Sequence, residues 1–167
     1  RCHSFRCDFS NFDDIVNLHD EGSRKLGLID TLINNAGITR DGLFLRMSKV
    51  DWQEVLDVNL NGAVQLSQLA IKSMIKNRFG RIINISSIIG ATGNAGQTNY
   101  AASKAALVGF SKSFAFEVAN RKVTVNNIAP GYIQTEMTDK LSDNQKELII
   151  SKIPSKKIGM PKDVSSL

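Results

Sequence analysis

Tyr100 and Lys104 stand four residues apart in the run NYAASKAALVGF, residues 99–110. On a helix that spacing puts both side chains on one face, one turn apart, so both can address the same ligand. A phenol with an ordinary pKa near 10 is a poor acid-base catalyst at neutral pH, and a neighbouring ammonium favours its phenolate. Lys104 can supply that charge. Ser87, thirteen residues before Tyr100 at the end of a strand pattern, can hold a carbonyl oxygen in place for protonation. Alone, the pair reads better as a solvated helix face, because tyrosine and lysine are common on exposed helices.

Other features change that balance. The run DVNLNG, residues 57–62, places two asparagines and a glycine inside an otherwise helical pattern, where the glycine costs about 1 kcal/mol relative to alanine. A helix so poor locally implies that a residue there, Asn59 first, has another task. A kink or close helix contact at Gly62 is the alternative. Three strand patterns end in polar or glycine-rich turns at residues 34–37 (NNAG), 86–97 (SSIIGATGNAGQ) and 129–135 (APGYIQT). Ligands of open parallel sheets bind outside the carboxyl ends of the strands, so the three turns point to one crevice.

The elements that must position these residues alternate between short β-branched runs and longer helical patterns, which predicts βαβ units and a parallel sheet. Strands are expected at residues 29–34, 81–86 and 123–129, with a fourth at HSFRCDF, residues 3–9. The near-continuous isoleucine of the middle strand predicts helices over both of its faces. Ser10 with Asp13 reads as a capping box opening a helix that fades at Gly27, and Ser48 with Asp51 opens another running to about Asn77. Ser142 with Gln145 opens a shorter one stopped by Pro154. The helix carrying Tyr100 is expected from about Thr98 to Asn120, with Leu107, Phe110, Phe114 and Val118 as its core face. No internal repeat or linker interrupts the pattern, so a single α/β domain over residues 1–167 is expected.

Size and composition agree. The chain has 167 residues, 42% of them hydrophobic, enough for one modest domain with a real core. It lacks a signal-peptide pattern and any window of roughly 18 apolar residues, so a soluble, cytoplasmic protein is expected. Cys2 and Cys7 are too few and too close for a disulfide framework, and no Cys or His cluster has zinc spacing. The net charge of +5 favours acidic partners, but the basic residues are scattered, so nothing supports nucleic acid as the partner.

Asn34-Asn35-Ala36-Gly37, Asn59, Ser87, Tyr100-x-x-x-Lys104 and Pro130-Gly131, in that order and spacing, resemble the short-chain dehydrogenase/reductase family. The match covers essentially the whole chain. Within the family, residues 34–47, 80–113 and 125–138 look most like the bacterial branch that reduces 3-oxoacyl groups on acyl-carrier protein. The resemblance implies a Rossmann-like doubly wound sheet and a tetrad in which Tyr100 donates the proton. Lys104 would lower the phenol pKa and hold the nicotinamide ribose, Ser87 would orient the substrate oxygen, and Asn59 would hold a relay water. It further implies NADPH, or NADH, contacted by Asp8, Phe9, Asn35, Ile133 and Thr135. Ser87 and Gln97 would meet the substrate, Arg78 and Arg121 would meet an acidic acyl-carrier protein beside the entrance, and the assembly would be a homotetramer. No metal is implied. Other members acting on a sugar, steroid or small alcohol stay open as an alternative, as does a non-catalytic protein that keeps the fold for interaction, though four intact site residues argue against the last.

The family's glycine-rich phosphate loop, whose backbone amides would hold the pyrophosphate, has no counterpart in these residues. The chain therefore reads as the central and later part of a longer reductase, with poor cofactor binding, little activity and exposed strand edges expected of it alone.

Overall fold

The computed structural model describes residues 2–134 and 143–167, apart from the side chains of residues 143, 145 and 146. The chain divides into two compact units, Arg1–Ile128 and Ala129–Leu167. The first holds α1 (Phe12–Leu26), β1 (Thr31–Asn34), α2 (Lys49–Leu56), α3 (Gly62–Asn77), β2 (Gly80–Ile85), the short α4 (Ile89–Thr92), α5 (Thr98–Val118) and β3 (Val123–Ile128). The second holds α6 (Asp143–Lys152) and α7 (Pro161–Ser165), with a parallel bridge between Ile133 and Gly159.

The strands form a parallel sheet in the order β1-β2-β3, so this is the parallel α/β architecture of the Rossmann type with flanking helices. Asn34 lies beside Asn84, and Asn84 beside Asn127, so the register places one asparagine of each strand in a single row. Because the strands advance in one direction, two right-handed crossovers must place their helices on the same side. Met74 and Ala70 of α3 and Val118 of α5 accordingly pack with Ile82, Val123 and Val125 in one core. These two helices cover one face of the middle strand, and Arg81, Ile83 and Ile85 on its other face are half-buried. In the first unit the other face carries Ile33, 58% exposed, and exposed Thr124 and Asn126.

Local signals explain most element ends. Ser48 and Asp51 form the expected capping box, Ser48 Oγ accepting from the Asp51 N–H at 3.0 Å. The box at Ser10 is a correction: Asn11 caps α1, accepting from the N–H groups of Asp13 and Asp14. Ser10 instead donates from its Oγ to the Asp8 carboxylate at 2.7 Å, so the chain turns one residue later. Residues 3–9 form no strand, because no described segment offers them a ladder. Ser142 lies outside the described residues, and α6 ends at Lys152, ahead of Pro154. Among the described residues no helix is long and apolar enough to cross a membrane.

Candidate active site

Tyr100 is the third residue of α5, and Lys104 follows one turn later. The Lys104 side chain is 4% exposed. Its Nζ donates to the Ile85 carbonyl at the carboxyl end of β2, at 2.8 Å, and lies 5.7 Å from the centre of the Tyr100 ring. Ser87, two residues past β2, lies close enough to the Tyr100 phenol to act on its pKa, while its Oγ accepts from the Ile89 N–H at 3.2 Å. Helix start and strand end thus bring the serine, the phenol and the ammonium together at the carboxyl edge of the sheet, where a ligand of such a fold binds.

Burial sets the electrostatics. It pulls Lys104 down from the usual lysine range to about 8, since the charged form loses water. It also pushes the Tyr100 phenol up, with the Ser87 hydrogen bond lowering it and the Asp41 carboxylate raising it further. The phenol is thus raised, not lowered as the neighbouring lysine led us to expect. At neutral pH this phenol holds its proton, which suits a donor.

Asn59 lies in a π-helical turn, Asp57–Asn61, between α2 and α3, and is 1% exposed. An extra residue in a helical turn swings a side chain out of register and is frequent at functional sites. Asn59 Oδ1 accepts from the Ile38 N–H at 2.8 Å, and its Nδ2 donates to the Ile38 carbonyl at 3.0 Å and to Ser103 Oγ at 3.2 Å. Ser103 donates to the Tyr100 carbonyl at 2.8 Å, so Asn59 braces both the turn after β1 and the helix of Tyr100. Gly37 belongs to the same knot: a Cβ there would stand 3.3 Å from Asn59 Oδ1 and 3.5 Å from Lys104 Nζ. The flaw at Gly62 is a close contact too, with the backbone of Phe9 rather than with another helix; a Cβ would meet the Phe9 carbonyl oxygen at 2.7 Å.

Phe9 and Asn35, with Asn34, Ala36, Val58 and Ala63, line a cleft of about 90 Å³ beside β1. Asn34, which lines the cleft, has its Oδ1 buried without a hydrogen-bond partner. This cleft and the bare backbone at Gly37 fit a flat, polar cofactor. Asp8, at the mouth of the Phe9 segment, is exposed, and the Ser10 hydroxyl and N–H hold its carboxyl below the usual range. Ile133 lies in the second unit, bridged to Gly159, and Thr135 lies outside the described residues.

Arg78 and Arg121 require a correction of place. Arg78 follows the end of α3, and Arg121 closes the 3₁₀ turn after α5. The Arg78 guanidinium donates to the Asn120 carbonyl at 3.2 Å, so it reaches the residue before Arg121. Both arginines stand at the amino edge of the sheet, where β2 and β3 begin. Tyr100 and Arg121 are separated by the length of α5, about 30 Å at 1.5 Å per residue, because a helix returning between parallel strands must end where the next strand starts.

Sequence reasoning passed over two braces. Asn99 is wholly buried: its Nδ2 donates to the Arg40 and Asp51 carbonyls at 3.0 and 3.3 Å, and its Oδ1 accepts from the Tyr100 N–H at 2.8 Å. The asparagine row is the second. Asn34 Nδ2 donates to Asn84 Oδ1 at 2.7 Å and to Ser67 Oγ at 3.0 Å, and Asn84 Nδ2 donates to Ser111 Oγ at 2.7 Å. A polar residue near the end of each isoleucine- or valine-rich strand was the available signal.

A parallel α/β sheet with a tyrosine, a lysine and a serine gathered at its carboxyl edge is the arrangement of a dehydrogenase fold. The family model described as short chain dehydrogenase matches residues 1–146, and the chain belongs to that family, one of oxidoreductases. It is 50% identical over 166 residues to Nodulation protein G of Rhizobium sp. (strain N33), which covers 99% of this chain and 68% of that protein. A 3-oxoacyl-[acyl-carrier-protein] reductase of Aquifex aeolicus (strain VF5) is 51% identical over 156 residues, 93% of this chain and 60% of that protein. That of Haemophilus influenzae (strain ATCC 51907 / DSM 11121 / KW20 / Rd) is 50% identical, over 92% of this chain and 63% of the relative. The chain thus spans about two thirds of the length of the relatives it resembles.

Proposed function

We propose that this chain carries the chemistry of an NADPH-dependent reductase that converts 3-oxoacyl-[acyl-carrier-protein] to the 3-hydroxyacyl form, a step of fatty acid biosynthesis in the cytoplasm. The observation that carries the reading is the buried Lys104 ammonium, bonded to the Ile85 carbonyl one turn from Tyr100, with Ser87 close enough to the phenol to lower its pKa. The identity of about one half to reductases of that name supports the substrate.

In this reading the substrate carbonyl oxygen sits between Ser87 Oγ and the phenol, and Tyr100 gives it a proton as it gains negative charge. Burial, which raises the phenol, keeps the donor loaded at neutral pH. Lys104 stabilises the phenolate left behind and is placed to hold a ribose hydroxyl, while Asn59 fixes the turn at Gly37 and Ile38 and can order a relay water. Phe9, Asn35 and Asp8 would hold the adenosine end of the cofactor, with Ile133 and Thr135 at the nicotinamide. The bound nicotinamide supplies hydride. We read the two compact units as parts of one cofactor-binding domain. We assign Arg78 and Arg121 to the acidic carrier protein and expect the chain to assemble as a homotetramer.

A second reading, a family member with another substrate, draws support from the equal similarity to Nodulation protein G. The test, on the chain extended to the length of its relatives, is NADPH oxidation with an acetoacetyl thioester, compared between the wild type and Tyr100→Phe. The variant keeps the ring and should bind NADPH normally while losing at least about a hundredfold in kcat, the usual scale of general acid catalysis. Wild-type turnover of a secondary alcohol with NAD and none of the thioester would favour the second reading.

A further inference from the structure

The connection from β1 to α2 is tied to the start of α5 at several points. The Gly42 N–H donates to the Gly96 carbonyl at 2.8 Å, Asn99 Nδ2 donates to the Arg40 carbonyl at 3.0 Å, and Thr98 Oγ1 reaches the Met47 sulfur at 3.6 Å. Asp41 adds a charged link. Its two carboxylate oxygens accept from Gln97 Nε2 at 3.2 and 3.1 Å, while Gln97 Oε1 accepts from Asn94 Nδ2 at 3.0 Å. Gln97 occupies the N-cap of α5, three residues before Tyr100, yet makes no side-chain capping bond. Its carboxamide is drawn to Asp41 instead.

We propose that Asp41 is a positioning residue for the reaction at Tyr100, acting through the Gln97 carboxamide; the proposal rests on the reductase reading above. A carboxylate only accepts hydrogen bonds, so Asp41 dictates that the nitrogen of the Gln97 amide faces it and the oxygen faces Asn94. In this proposal one N–H of Nε2 meets the carboxylate and the other is left for an acyl oxygen at the site. Asp41 also places a negative charge where it opposes ionisation of Tyr100. Among the described residues, Asp41 from this connection is the charged group acting on the phenol, and Lys104 from α5 stands 5.7 Å from the ring centre. Arg40, next to Asp41, is engaged with Glu54 of α2 at 2.9 Å.

Two readouts, on the chain extended to the length of its relatives, test the proposal. The first is an absorbance titration of the phenol, with Tyr100→Phe subtracting the signal of the other tyrosines, Tyr132 among them; it needs no substrate. The second is kcat and KM for an acetoacetyl thioester. Asp41→Asn should move the Tyr100 midpoint downward, by an amount that shrinks as salt is added, and leave KM nearly unchanged, since asparagine still accepts from Gln97. Asp41→Ala should move the midpoint downward and raise KM about tenfold, the scale of one lost hydrogen bond. Gln97→Ala should raise KM alike with the midpoint unmoved, and the double variant should add nothing further. Because Asp41→Asn is nearly isosteric, the titration survives if Asp41→Ala fails to fold. An unmoved midpoint in Asp41→Asn, or KM effects of Asp41→Ala and Gln97→Ala that simply add, overturns the proposal. A moved midpoint with no thioester turnover by the wild type overturns the reductase reading instead.

Discussion

An ammonium that is 4% exposed and bonded to a strand carbonyl is charged at a cost, and for Lys104 the cost has a sign that can be measured. Its pKa falls from 10.5 to about 8 on folding. Below pH 8 both the folded and the unfolded chain hold the proton, so pH has no leverage through this group. Between about 8 and 10.5 the unfolded chain binds the proton and the folded chain releases it, so stability rises with pH. The full shift corresponds to roughly 3 kcal/mol. Thermal melts from pH 7 to 10, below the raised titration of Tyr100, should show wild type gaining on Lys104→Met as pH rises. Parallel curves would mean that the ammonium is better solvated than its burial implies. The same residue ties stability to function: a lysine that destabilises the fold at neutral pH is kept where it can steady a phenolate.

At the scale of elements, the helical flaw in DVNLNG shows how packing overrides propensity. Gly62→Ala should gain up to about 1 kcal/mol of helix propensity, but the new Cβ would stand 2.7 Å from the Phe9 carbonyl oxygen, a backbone atom that cannot rotate aside. Overpacking of this kind costs about 1–3 kcal/mol, so the clash wins. Urea unfolding should show a net loss of stability, and fluorescence titration should show weaker NADPH binding because Phe9 lines the cleft. A more stable variant with unchanged binding would contradict the assignment. The sequence showed that this helix was defective because glycine and asparagine are locally poor there. It could not show what fills the defect, since Phe9 and Ile38 approach only after the chain has folded. Signals spanning three or four residues, such as the Ser48–Asp51 box, were legible for the same reason that the asparagine row was not: the row depends on register between three strands. At the site, the i, i+4 spacing made Tyr100 and Lys104 legible, whereas Asn99 and Asp41 are defined by partners about 60 residues away in the chain and carry no local mark.

At the scale of the whole molecule, the parallel topology separates the charge from the chemistry. The strand alternation was legible from β-branched runs, but the shared side of the crossovers follows from strand order, which no single segment encodes. That order sends α5 from Tyr100 at the carboxyl edge to Arg121 at the amino edge, about 30 Å away, with Arg78 joined there through the Asn120 carbonyl. A carrier protein held by these arginines therefore stands far from the Tyr100 of the same chain. If the proposed carrier docking is right, the arginines of one copy serve the site of another. Charge reversal of both, Arg78→Glu with Arg121→Glu, should raise KM for a carrier-linked substrate at least about tenfold, the scale expected when contact pairs of opposite charge become like-charged. It should leave a small acetoacetyl thioester unaffected. Mixed assemblies of that variant with Tyr100→Phe then decide the geometry. One parent lacks the docking charge and the other lacks the proton donor, so docking between copies predicts carrier-dependent turnover above that of either parent, and docking within one chain predicts none.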